Sequence, residues 1–287
     1  MLRDILTNEY LSRLEVLDMS IRKRLSAAPS SGARKSSSKG SSIEFSDFRE
    51  YAQGDDLRRV DWNSYARFGR LYTKLFNEER QASINIILDG STSMRLFEKK
   101  LDFAQAVAAS VAYIALNNSD KVNIFIADGM NLEKCTGLVS KQAFSRCVNF
   151  IAEERKGGET FLNKFSEQLA NERLGDGVSV IISDFFSNDG YDKAVKLLKG
   201  KKQNVIMVQI LDFSEVEPQE KGNVRLIDSE TDAKRELEIT PEVVDRYKKA
   251  LDNYRNELRE FAVRNETAFY SFDTSMPIMA AVGEIIK

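Results

Sequence analysis

From Ile84 onward the chain alternates short apolar runs with stripes of helical spacing, and that alternation restricts it to an α/β architecture. Ile84–Leu88, Val122–Ala127, Thr136–Val139, Val178–Ser183, Val205–Leu211 and Ala268–Phe272 read as strands. Phe103, Val107, Val111 and Ile114 recur at the spacing of one helical face. Helices are also expected over Lys141–Glu153, near Phe161–Asn171, around Tyr191–Lys199 and from about Thr274 onward. Strands separated by helices favour parallel pairing, so residues 81–287 are expected to form a doubly wound, mostly parallel sheet flanked by helices. Asp212–Glu238 is polar with short apolar bursts, as in a hairpin excursion from the sheet. Thr240 and Pro241 then open a helix as N-cap and first residue, and Val244, Tyr247, Leu251, Tyr254, Leu258 and Phe261 form its core stripe.

Residues 1–80 read as an extension to this domain. Leu6, Tyr10, Leu14, Leu17 and Ile21 place a packing helix over Leu2 to about Leu25. Ser26–Ser42 is rich in Ser, Gly and Ala with Pro29, and Arg22, Lys23, Arg24, Arg34, Lys35 and Lys39 have no acidic neighbour up to Ser42. That composition reads as a flexible basic linker. From Ile43 to Arg80 aromatics interleave with dense charge, including Glu44, Phe45, Asp47, Arg49, Tyr51, Asp55, Asp56, Arg58, Arg59, Asp61 and Trp62. Two readings fit: an ion-pair network on a small apolar seam, or a solvated charged surface.

Charge and composition narrow the function. The 42 basic and 44 acidic residues leave no polyanion-seeking surface overall, so no nucleic-acid partner is expected. The absence of histidine removes Ser-His-Asp hydrolysis, and no stretch matches the Gly-x-x-x-x-Gly-Lys-Ser/Thr phosphate cradle. Phe103–Ser119, the longest uncharged run of interest, contains Gln, Ser and Asn and falls short of the ~20 apolar residues of a bilayer span. Arg3, Asp4 and Glu9 interrupt the N-terminus, so no secretory signal and a cytoplasmic location are expected. Cys135 and Cys147 are expected as buried free thiols.

The chemistry concentrates where the first strand of the α/β region runs into Asp89-Gly-Ser91-Thr-Ser93. In a doubly wound sheet, ligands collect beyond the carboxyl ends of strands where the strand order reverses. Two further loops are expected at the same crevice: Gly157-Gly-Glu-Thr160, and the turn at Asp184 after the run Val178–Ser183. Asp89, Ser91, Ser93, Thr160 and Asp184 offer two carboxylates and three hydroxyls, a donor set suited to Mg²⁺, or Mn²⁺, and poor for soft metals. Hydroxyl ligands offset the ion's charge incompletely, so an open coordination position would attract a carboxylate from a partner. The competing reading is that Asp89 and Ser91 cap the following helix.

At these residues the chain resembles von Willebrand factor A-like domains, whose metal-ion-dependent adhesion site uses Asp-x-Ser-x-Ser, a Thr in a Gly-rich loop and an Asp after the fourth strand. The matching positions are Asp89, Ser91, Ser93, Thr160 and Asp184; Phe185 departs, since many such domains have Gly after that Asp. The resemblance implies direct cation contacts from the hydroxyls and some water-mediated contacts from the acids. Upstream, Gly40, Glu44-Phe45-Ser-Asp47, Arg49-Glu-Tyr51, Gly54-Asp-Asp56, Arg58-Arg-Val-Asp-Trp62, Ala66-Arg67 and Glu78-Glu79 resemble the signature of the bacterial domain-of-unknown-function family fifty-eight. Its members commonly accompany MoxR-type AAA+ ATPases, which implies a non-catalytic adaptor that binds such an ATPase or its client in a chaperone-like or metal-insertion assembly. Many members carry membrane helices and an extra β-domain, so a soluble short form is expected here. Two alternatives remain: an Mg²⁺-dependent phosphoryl-transfer enzyme using Asp89, which Ser91 disfavours because such phosphatases need a second Asp there, and nucleic-acid binding through Arg22–Lys39.

Overall fold

Alternation along each strand decides the layering, because successive side chains point to opposite faces of a sheet. A computed structural model of the chain describes residues 2–27, 43–78, 81–128, 131–155, 157–159, 161–219, 222–227 and 234–287. They divide into two units, 1–28 with 82–287, and 29–81.

The first unit is built on six strands: β3 (Ser83–Asp89), β4 (Lys121–Asp128), β5 (Asn131–Leu138), β6 (Gly177–Ser183), β7 (Gln203–Leu211) and β10 (Ala268–Asp273). In the sheet they lie in the order β10-β7-β6-β3-β4-β5. Every pair is parallel except β4–β5. This is the doubly wound, mostly parallel sheet expected. The expected short strand Thr136–Val139 is instead the longer, antiparallel edge strand β5. Only two residues separate it from β4, too few for the crossover that parallel pairing requires.

Ile86 and Leu88 face one apolar layer with Val122, Ile124, Val180, Ile182, Val208 and Ile210. That layer is covered by α5 (Glu98–Asn117), α6 (Phe144–Ala152) and α11 (Ile278–Ile285). Ile87, Phe125, Ile181 and Met207 face the other layer, against α7 (Leu162–Ala170), α8 (Asp192–Gly200) and α10 (Pro241–Arg264). α10 begins as expected, with Thr240 Oγ1 accepting from the Val243 N–H at 3.4 Å. α11 begins only after Pro277: residues 274–276 turn on Asp273, whose carbonyl accepts from the Met276 N–H at 3.1 Å, and Pro277 disfavours the helical region for Met276. The excursion after β7 holds a short helix, α9 (Phe213–Val216), and the antiparallel pair β8 (Gly222–Ile227) and β9 (Lys234–Ile239).

The N-terminal helix is broken into α1 (Leu2–Ile5) and α2 (Asn8–Ala27). Thr7 Oγ1 accepts from the Tyr10 N–H at 3.2 Å and restarts the helix as a cap would. α2 packs on α5 through Tyr10–Ser110 at 2.8 Å, Tyr113–Glu15 at 2.6 Å and Asn118–Asp18 at 3.2 Å. The N-terminal helix thus joins the sheet unit rather than the 43–80 segment with which it was expected to group. Cys135 and Cys147 are free and buried, and burial pushes the Cys147 thiol up to about 12. Among the described residues no helix is long and apolar enough to cross a membrane.

The second unit pairs β1 (Ile43–Glu50) with β2 (Tyr72–Glu78) antiparallel. A 3₁₀ turn (Leu57–Arg59) and α3 (Trp62–Phe68) lie between them. Ion pairs Arg49–Asp55 at 2.8 Å, Arg58–Asp56 at 3.2 Å and Lys74–Asp61 at 3.6 Å supply part of the expected network. The expected apolar seam is not made by α3, which buries no residue; Trp62, Tyr65 and Phe68 are 56%, 47% and 71% exposed. α3 is held by its ends instead, with Asp61 accepting from Ser64 Oγ at 2.6 Å and Gly69 closing it at φ 66°. The basic linker falls largely on residues 28–42, outside the described residues; its first part, through Ala27, is the end of α2.

Candidate metal centre

The strand order reverses at β3, whose neighbours β4 and β6 leave in opposite directions, so a crevice opens beyond its carboxyl end. Asp89 ends β3 and is buried, as are Ser91 and Asp184. Gly90 lets the chain turn here, since its N–H donates to the Ala127 carbonyl at 2.7 Å and a Cβ would lie 2.8 Å from that same oxygen. Ser91 then leads into α4 (Thr92–Arg95).

Asp89 Oδ1 accepts from the Ser91 N–H at 3.0 Å, and Asp89 Oδ2 accepts from Ser183 Oγ at 2.5 Å. The Ser91 and Ser93 hydroxyls lie 3.0 Å apart. No basic side chain among the described residues bonds Asp89. Its carboxyl is therefore pushed up to about 6, by burial first and by the charge of Asp184 second. Ser91 makes no side-chain cap of α4, so the helix-capping alternative falls short for that residue, whereas Asp89 does brace the turn through the Ser91 amide.

Asp184 follows β6 and stands on the same crest. Its Oδ1 accepts from the Phe186 N–H at 3.0 Å, and Gln209 Nε2 donates to its carbonyl at 3.0 Å. Phe185 holds the left-handed φ of 64° that Gly would adopt freely. The strained backbone is retained because the Phe185 ring is buried against Tyr191, its N–H donates to Ser183 Oγ at 2.9 Å and its carbonyl accepts from Tyr254 at 2.5 Å.

Thr160 lies outside the described residues. The loop leading to it is placed at the crest: the Thr92 N–H donates to the Gly158 carbonyl at 2.9 Å, and the Gly157 N–H donates to Asp128 at 2.7 Å. Gly157 has φ 78°, and a Cβ there would sit 3.1 Å from Thr92 Oγ1. Arg95 ties the same pieces together, donating to the Gly90 carbonyl at 2.9 Å and to the Arg155 carbonyl.

Lys100 is the residue that sequence reasoning missed. It is fully buried on α5, and its ammonium donates to Asp184 Oδ2 at 2.8 Å, Glu215 Oε1 at 3.0 Å and the Ser93 carbonyl at 3.4 Å. Burial opposes its charge, but the two carboxylates outweigh burial and hold the ammonium above the ordinary lysine range. Its signal was its position three residues before Phe103, on the buried face of α5.

The donors beside Asp89 are all hard oxygens, and the chain has no histidine. Among the described residues no group of three His, Cys, Asp or Glu forms a protein-only metal cage. The oxygens of Asp89, Ser91 and Ser93, with Asp184 beside them, are the ones that could hold a hard divalent ion with few protein charges.

A family model described as "Protein of unknown function DUF58" matches residues 47–257. The uncharacterized protein Rv1480 of Mycobacterium tuberculosis is 25% identical over 225 residues, spanning 76% of this chain and 71% of that protein, and Mb1516 of Mycobacterium bovis matches equally. Among solved structures, a conserved hypothetical protein BatB from Bacteroides thetaiotaomicron is 14% identical, with 71% of this chain and 97% of that chain covered at a TM-score of 0.41. The pilus adhesin SpaC from Lactobacillus rhamnosus GG, in its open conformation, is 9% identical, with 83% and 33% covered at a TM-score of 0.46. The fold assignment stands on the strand order of this chain.

Proposed function

The chain belongs to the DUF58 family, and from that membership and the crest geometry we propose a non-catalytic interaction module whose crest holds Mg²⁺ and accepts a carboxylate side chain from a protein partner. One observation carries this reading: Asp89 is a buried carboxylate bonded by a hydroxyl and an amide but, among the described residues, by no basic side chain, beside two hydroxyls 3.0 Å apart. A buried charge is costly unless paired, and a hard cation is the partner these donors suit. The bound ion supplies a coordination point for an external anionic oxygen. Asp89 contributes charge, Ser91 and Ser93 contribute neutral donors, and the loops anchored by Arg95 and Asp128 keep them in register.

The partner we propose is a MoxR-type AAA+ ATPase or a protein that it acts on, within a chaperone-like assembly. The test is retention of a purified MoxR-type ATPase on the immobilised chain, with Mg²⁺ or with EDTA, for the wild type and Asp89→Ala. Retention should require Mg²⁺ and vanish in Asp89→Ala, while circular dichroism shows that variant folded. Equal retention under EDTA and in the variant would remove the metal from the function.

A further inference from the structure

Lys100 is a lysine with none of its side chain exposed, placed where the metal reading calls for a cation. All three donors of an ammonium are used, on Asp184, Glu215 and the Ser93 carbonyl. Two of these partners belong to the crest, since Ser93 follows β3 and Asp184 follows β6. The third, Glu215, lies on α9 and is itself fixed: its Oε2 accepts from the Asp212 N–H at 2.6 Å, and its carbonyl accepts from Tyr247 of α10 at 2.7 Å. Lys100 therefore joins the candidate metal centre to two elements that supply it no donor.

The charges of this cluster are unequal. Asp89, Asp184 and Glu215 are acidic, and Lys100 is the basic group bonded among them. The excess is two negative charges, the number that one divalent ion neutralises. Asp184 and Glu215 share the one ammonium, and Asp89 is the carboxylate of the three that Lys100 does not bond.

Building on the metal reading above, we propose that Lys100 is a positioning residue and the internal counter-charge of the crest: it takes Asp184 and Glu215 for itself, so that a divalent ion meets the single free carboxylate of Asp89. The consequence is a deliberately modest affinity. The ammonium repels the incoming ion across a dry interior, where charges are poorly screened, and it withholds one oxygen of Asp184. An ion held this loosely keeps a strong demand for an external carboxylate, which is what a metal-bridged contact uses. Glu215, which touches Lys100 and is not assigned as a holder of the ion, should influence binding through charge alone.

The experiment is titration of the full-length chain with Mn²⁺, reading free Mn²⁺ by electron paramagnetic resonance and thermal unfolding in parallel. The variants are Lys100→Met, Glu215→Gln, Asp89→Ala and the double variant Lys100→Met with Asp89→Ala. Lys100→Met should bind Mn²⁺ tenfold or more tightly than the wild type, and Glu215→Gln threefold or more weakly. A merely structural lysine would not raise affinity when removed. Unchanged affinity in both variants, or loss of binding in a folded Lys100→Met, overturns the inference while leaving the metal site standing if the wild type still binds through Asp89. If Lys100→Met does not fold, Glu215→Gln decides. If the wild type binds no Mn²⁺ but Lys100→Met binds it through Asp89, the counter-charge role holds and the proposed function fails. Binding in neither overturns both.

Discussion

Asp89 ends an apolar strand with its carboxyl pushed up to about 6, chiefly by burial and then by the charge of Asp184. Between about pH 3.8 and pH 6 the folded state therefore holds a proton that the unfolded chain has released. The stability that this group lends is complete below its ordinary value of 3.8 and is lost as pH rises through about 6. A bound divalent ion favours the carboxylate form and reverses that loss. Mg²⁺ should accordingly raise the melting temperature little at about pH 5 and clearly at about pH 7.5. A Mg²⁺ effect equal at both pH values, or present in Asp89→Ala, would contradict this role. Asp89, Ser91, Ser93 and Asp184 could be read from sequence because their chemistry follows strand ends whose apolar runs are unambiguous. Lys100 and Ser183 could not, because what they do depends on partners 84 and 94 residues away.

At the scale of elements, the central strands carry a polar row that their apolar pattern conceals. Asn123 Nδ2 donates to Asn85 Oδ1 at 2.8 Å, Asn85 Nδ2 donates to Gln203 Oε1 at 2.9 Å, and Ser179 Oγ donates to the same oxygen at 3.1 Å. The row crosses β4, β3, β6 and β7 and continues to β5, where the Gly137 N–H donates to Asn123 Oδ1 at 2.9 Å. Each of these side chains is buried, and a slip of one residue in any strand would break the row. Asn85→Leu leaves Asn123 and Gln203 partly unsatisfied and should cost about 3 kcal/mol, read as a lower urea midpoint with an unchanged slope. A loss below about 0.5 kcal/mol would show that the row bears no load. Elements with strong periodicity, such as α5 and α10, contain the whole of their expected apolar stripes, and α10 begins at the expected Pro241. β5 did not, because most of its side chains are at least partly exposed and mask the strand pattern. α9 was missed as well, although Asp212 and Glu215 have the spacing of a capping box.

For the whole molecule, the sheet unit comprises residues 1–28 and 82–287, while 29–81 forms the other unit. The sheet boundary was readable because composition changes abruptly before Ser83. The place of α2 was not, since an amphipathic helix does not announce which surface it covers; Tyr113 and Ser110 on α5 and Asn118 at its C-cap decide it. All the candidate donors among the described residues lie at one end of a mostly parallel sheet, at or just beyond the carboxyl ends of β3 and β6, the end to which its topology directs ligands. The most direct measurement is anomalous diffraction at the manganese edge from crystals grown with Mn²⁺. One peak in contact with the Ser91 and Ser93 hydroxyls, and with Asp89 beside it, is the predicted result. A crest without a peak in crystals that hold Mn²⁺ elsewhere would contradict it.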